Sequence, residues 1–164
     1  MDWLLDAALA LAIAALARGL IVLPVCVRGD SMRDTLRSGD RLIALRLPAR
    51  LGWLRRGDIV ICRYPGARRY YIKRLIGLPG ETLELRGGEV LIDGRPLSPP
   101  RAARPTRRGF GPIELGAGQY FVLGDNRPNS RDSRAVGPLS ARDLRAVAVL
   151  RVWPLGRAGR LGAR

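Results

Sequence analysis

From Gly39 onward, glycine and proline cut this chain into segments too short for most helices. Twenty glycines and twelve prolines punctuate its 164 residues, and the segments between them alternate apolar with polar side chains or run briefly apolar, as strands do. Strands are expected at Arg41 to Leu47, Ile59 to Cys62, Tyr70 to Leu78, Gln119 to Leu123 and Ala146 to Val152. Two more, Thr82 to Arg86 and Glu89 to Ile92, are joined at Gly87-Gly88 and closed by Asp93-Gly94, which is a hairpin signal. Residues Arg95 to Gly111, rich in Pro and Arg, read as an exposed loop, and residues 154–164 as a basic, flexible tail. Short strands between such turns, with no regular interleaving of helices, favour a mainly β domain over an α/β one.

The amino-terminal stretch is different. Leu4 to Leu23 is apolar apart from Asp6 and Arg18 and is followed by Pro24. That is close to the roughly 20 residues needed to cross a bilayer, and Trp3 suits the interface. The expected organisation is a single transmembrane anchor over 3–24, a β-rich catalytic domain over 25–153 and the tail over 154–164. A cleaved signal peptide fits less well, because no basic region precedes the apolar run and no small-residue cleavage site follows it. The flanking charge points the other way from an exported domain: Arg28, Arg33, Arg37, Arg41 and Arg46 follow the run closely, a bias that would keep the following domain in the cytoplasm.

Net charge is +15, nearly all of it arginine. Attraction to anionic lipid or nucleic acid has to be considered, yet there is no zinc-finger spacing, no Gly-rich phosphate loop and no basic block interleaved with aromatics. The two cysteines, Cys26 and Cys62, provide neither a disulfide framework nor, without histidine, a four-ligand metal site, and each reads as a small buried hydrophobe.

What remains for catalysis is narrow. There is no histidine, and Lys73 is the sole lysine. Arginine does not deprotonate in proteins, so a nitrogen base must be Lys73 or the terminal amine. A Ser-His-Asp triad is excluded; serine with lysine is a remaining arrangement. An unperturbed lysine is neutral in only about one molecule in 2,500 at pH 7, so Lys73 would have to be buried among apolar groups, and Arg74 would have to point to the other face of the strand. Taken alone, Lys73 also fits an ordinary solvent-facing strand charge. Ser31, after the turn residues Gly29 and Asp30, also fits a plain turn or helix cap.

Four segments in order resemble the type I signal peptidases, membrane-bound serine peptidases that remove signal peptides from exported proteins. GDSMRDTL, Gly29 to Leu36, resembles the nucleophile box, with Ser31 as nucleophile. GDIVICRYP, Gly57 to Pro65, is similar to the following core strand, and YYIKRLIGLPGE, Tyr70 to Glu81, resembles the box that carries the lysine base at Lys73. GDNRPNSRDSR, Gly124 to Arg134, resembles the last box, in which Ser130 corresponds to the serine that hydrogen-bonds the lysine, and Asp132 and Arg134 to its supporting pair. The resemblance implies a signal-peptidase-like β-rich catalytic domain on a single amino-terminal transmembrane helix. It further implies a Ser31-Lys73 dyad acting through an acyl-enzyme, cleavage after small residues of the Ala-x-Ala type, and no cofactor or metal. The oxyanion would be held partly by the Ser31 amide; Gly29 stands where some members carry a hydroxyl, and Met32 would line the substrate site. Implied partners are signal peptides of secretory preproteins, the phospholipid bilayer and a place near the protein-export machinery, with no nucleic acid. The implied location is the plasma membrane, single-pass, with the catalytic domain outside the cytoplasm.

Two residues depart from the pattern: Asp34 stands where proline is usual after the serine-methionine element, and Pro128 replaces a common aspartate. Other readings are a specialised processing peptidase of the same family for one conjugation or surface protein, a self-cleaving repressor-type peptidase, and a non-catalytic, membrane-tethered basic binding module.

Overall fold

A computed structural model describes residues 3–9, 21–97 and 109–162. Its strands are β1 (Val22–Cys26), β2 (Arg41–Leu45), β3 (Ile59–Cys62), β4 (Tyr71–Gly77), β5 (Thr82–Arg86), β6 (Glu89–Ile92), β7 (Arg95–Pro96), β8 (Phe110–Glu114), β9 (Gln119–Leu123), β10 (Leu139–Ser140), β11 (Leu144–Trp153) and β12 (Gly159–Arg160). The fold is mainly β, as the punctuation by glycine and proline requires. The larger sheet runs β1-β2-β11-β3-β4-β9-β10, with β12 on β11, and the smaller runs β7-β6-β5-β8.

The continuous apolar run of β3 is explained by its place between β11 and β4, with all four residues buried. Its alternate side chains feed two cores. Ile59 and Ile61 join Val27, Met32, Leu36 and Leu42, whereas Val60 and Cys62 join Tyr64, Leu75, Val122 and Leu144. A third cluster of Ile76, Leu83, Leu85, Leu115, Phe121 and Leu123 links the two sheets. The approach is close at Gly77, where a Cβ would fall 2.9 Å from Phe121 Cβ and 3.1 Å from Leu83 Cδ1. The β5–β6 hairpin has the expected register, Arg86 opposite Glu89. Gly87 and Gly88 both take positive φ, as a two-residue loop between twisted strands demands.

Several expectations change. Val22–Cys26, whose first residues were read as the end of the anchor, pair with β2 in full register. Pro24 is tolerated because β1 is an edge strand, where an absent N–H costs no ladder bond. Residues 3–9 are helical, residues 10–20 lie outside the described residues, and no helix among the described residues is long and apolar enough to cross a membrane. Phe110–Glu114, read partly as loop, is a strand; its Pro112 is again accommodated at an edge. Cys62 is buried but Cys26 is exposed at the end of the β1 edge. The segment read as a flexible tail is docked. Gly159 and Arg160 pair with β11, Leu161 donates its N–H to Val149 O at 2.8 Å, and Arg157 pairs with the buried Asp40 carboxylate.

Candidate active site

Ser31 sits on a tight turn between β1 and β2. The N–H groups of Thr35 and Leu36 donate to Met32 O at 3.1 and 2.8 Å, and that of Arg33 to Asp30 O at 3.0 Å. Met32 and Leu36 root the turn in the core, at 2% and 0% exposure. Met32, expected to line the substrate site, packs with Val27, Leu36 and Leu42. Asp34 has φ +88° and Gly29 φ +86°, so this turn depends on two left-handed residues. Asp is among the few non-glycine residues that accept that region. A Cβ at Gly29 would have open space around it.

Lys73 lies in β4 opposite Val60, on the face lined by Cys62, Leu75 and Tyr71. The side chain is 2% exposed, and Nζ donates to Ser31 Oγ at 2.7 Å and to Ile72 O at 3.0 Å. Burial among apolar neighbours pushes the lysine pKa down, opposed by charge on Cys62, Asp132 and Asp125. Of these, the Cys62 thiol is itself pushed up to about 12 by burial, so it is neutral near pH 7. Tyr71 places its ring 5.9 Å from Nζ and stacks on Tyr64 at 4.0 Å between centroids.

Arg74 leaves the opposite face of β4, as strand alternation dictates. Its Nε and Nη2 bind Asp125 Oδ1 and Oδ2 at 2.8 and 2.7 Å, and its Nη1 donates to Gly57 O at 2.8 Å. Thr35 Oγ1 donates to Asp125 Oδ2 at 2.6 Å. The neighbouring guanidinium is thereby neutralised in place and fixes the far end of the serine turn.

The loop after β9 closes the site. Asn126 donates its N–H to Ser31 O and its side-chain amide to Asp30 O, both at 3.1 Å. Gly124 occupies a space no larger residue could share. A Cβ there would fall 2.6 Å from both Ser130 Cβ and Ser31 O and against Ser130 Oγ, which places Ser130 beside the nucleophile turn. Ser130 Oγ is buried and has no hydrogen-bond partner among the described residues. Asp132, fully buried, accepts from Gly124 N–H at 3.0 Å and from Arg134 Nε and Nη2 at 2.8 Å each. Arg134 Nη2 also donates to Arg127 O at 2.7 Å. Pro128 falls within the first residues of a short 3-10 turn, Arg127–Asn129, a place that suits its fixed φ. Ser31 and Lys73 are brought together and the loop that carries Ser130, Asp132 and Arg134 packs against the serine turn, but the hydrogen bond expected between Ser130 and Lys73 is not formed, Nζ being bound to Ser31 Oγ and Ile72 O. The residues missed were Gly124, Asp125, Asn126, Arg74 and Thr35. The signal for Asp125 and Arg74 was present, since a buried strand can carry an arginine only with a partner.

The arrangement offers a hydroxyl against a buried amine, with backbone donors at a turn, and among the described residues no group of three or more Cys, Asp or Glu that could hold a metal. Comparison with known proteins agrees in kind. A signal peptidase I of Leptolyngbya laminosa is 39% identical over 144 residues, covering 83% of this chain and 71% of that protein. Signal peptidase I P of Bacillus subtilis subsp. natto is 33% identical over 168 residues, covering 96% and 91%, and signal peptidase I T of Bacillus subtilis (strain 168) is 36% identical over 153 residues, covering 87% and 79%. The profile of the family described as signal peptidase, peptidase S26, matches residues 1–153, and the chain belongs to that family of serine endopeptidases.

Proposed function

We propose that this protein is a membrane-bound serine endopeptidase that removes amino-terminal signal peptides from exported preproteins, with Ser31 as nucleophile and Lys73 as base. The observation that carries the reading is the 2.7 Å separation of Lys73 Nζ from Ser31 Oγ at a lysine only 2% exposed. Neutral Lys73 takes the Ser31 proton as Oγ forms a bond to the scissile carbonyl carbon. The resulting oxyanion is held by backbone donors of the turn, the Ser31 N–H among them. The C–N bond then breaks, the departing amine takes its proton from Lys73, and the acyl group remains on Ser31. Lys73 next deprotonates a water that attacks the ester, returning the serine.

Ser130 supplies a hydroxyl near the amine, and the Asp132–Arg134 pair holds the segment that carries it. A substrate lies as an extended strand with small side chains before the cut, its backbone paired along a strand edge. The apolar run that precedes β1, residues 4–21, anchors the chain in the plasma membrane with the peptidase domain outside the cytoplasm. The test is incubation of the liposome-inserted protein with a preprotein cut after Ala-x-Ala, the product termini being read by mass spectrometry. One cut at that site, absent in Ser31→Ala, supports the proposal; cutting that persists in Ser31→Ala refutes it.

A further inference from the structure

Tyr64 lies just past β3 and is not part of the dyad, yet it is 4% exposed and its hydroxyl donates to Arg131 O at 2.9 Å. That bond spans 67 positions in sequence. Arg131 lies between Ser130 and Asp132. The Tyr64 ring stacks on Tyr71, two residues before Lys73 on the same strand, at 4.0 Å and 15°. A continuous path therefore runs from the strand that carries the amine, through two rings and one hydroxyl, to the carbonyl of Arg131, the residue after Ser130.

We infer that Tyr64 is a positioning residue that fixes Ser130 relative to Lys73; the inference rests on the Ser31-Lys73 reading above. Ser130 Oγ is buried and has no hydrogen-bond partner among the described residues. A buried hydroxyl without a partner does not hold itself in place, so its segment must be held by neighbouring contacts. Asp132 and Arg134 hold that segment within its own loop, Ser133 Oγ accepts from Val122 N–H of β9 at 3.0 Å, and Tyr64 ties it from the other side to the end of β3. Burial keeps the phenol pKa above its usual value, so the hydroxyl remains a donor throughout the working range.

The consequence is readable in pH. A Ser130 hydroxyl presented to neutral Lys73 favours the base form, and a displaced one does not. The other titratable groups facing Lys73 are Cys62 on β3, Tyr71 on its own strand, and Asp125 and Asp132 from the loop after β9. The thiol stays neutral near pH 7, and the two carboxylates are paired with Arg74 and Arg134. The acid limb of kcat/KM is therefore expected to report Lys73.

Tyr64→Phe keeps the stack and deletes only the bond to Arg131 O. In the full-length, liposome-inserted protein it should lower kcat/KM by about ten-fold or more and move the acid limb to higher pH. In a Ser130→Ala background it should cost nothing further, because there is no hydroxyl left to place. An unshifted profile in Tyr64→Phe, or losses that multiply in the double variant, overturns the inference even where Ser31→Ala is inactive. A Ser31→Ala variant that still cuts removes both this inference and the reading beneath it.

Discussion

Lys73 Nζ and Ser31 Oγ are 2.7 Å apart although 42 positions separate them in sequence, and the amine is enclosed by β3, β4 and the loop after β9. Enclosure favours the neutral base and disfavours the folded state wherever the amine must charge. A lysine pKa lowered on folding means that the unfolded chain binds more protons between the two values, so stability rises with pH across that window.

Lys73→Met is therefore expected to raise Tm at pH 6 while abolishing cleavage. Its advantage over the unmodified protein should shrink as pH approaches about 10, near the pKa of an unfolded lysine. Thermal unfolding at pH 6, 8 and 10 checks this; an advantage independent of pH would mean that burial does not shift the amine.

Asp34 tests the turn. At φ +88° it occupies a region that proline, with φ near −65°, cannot enter. Asp34→Pro should force the turn open, lowering stability by about 1–3 kcal/mol together with activity. Asp34→Gly should keep the turn and most of the activity. Equal activity in the two variants would show that the left-handed residue does not set the serine's position.

Gly124 tests the space beside Ser130. Its φ is not in the left-handed region, so Gly124→Ala meets no backbone barrier, only the Ser130 side chain and the Ser31 carbonyl. A displacement near 1 Å can cost about 100-fold in rate, and a loss of that order in kcat is expected together with a lower unfolding midpoint, because the Ser31 carbonyl is backbone and cannot swing aside. Wild-type turnover would contradict the close approach.

The Arg74–Asp125 pair, with side-chain exposures of 9% and 4%, should behave as a buried ion pair. Asp125→Ala leaves the guanidinium uncompensated and should cost about 3–5 kcal/mol. The double change Arg74→Met with Asp125→Leu should cost less than Asp125→Ala alone. Urea midpoints of the three proteins decide it.

Much of this was legible in the sequence because local chemistry forced it. The β5–β6 hairpin follows from Gly87-Gly88, β3 from its uninterrupted apolar run, and the narrowing of any nitrogen base to Lys73 or the terminal amine from the absence of histidine and of any other lysine. The parts that were not legible depend on pairing over distance. Val22–Cys26 continues an apolar run and carries a proline, and only its ladder with β2 makes it a strand. The docking of residues 157–161 depends on β11 and, through Arg157, on Asp40, which no pattern within the tail reveals. The packing of Met32 with Val27, Leu36 and Leu42 likewise depends on how the turn directs its side chain. Gly124 looked like an ordinary turn glycine until Ser130 and Ser31 were brought against it.

The most direct measurement of the central claim is single-turnover cleavage of an Ala-x-Ala precursor by the liposome-inserted protein across pH 5 to 10, alongside Lys73→Ala and Lys73→Arg. The account predicts a rate that rises through one basic group titrating below an ordinary lysine, and no cleavage by either variant, since alanine supplies no base and arginine does not deprotonate. Cleavage by Lys73→Arg at a rate near that of the unmodified protein, with the same pH dependence, would contradict it.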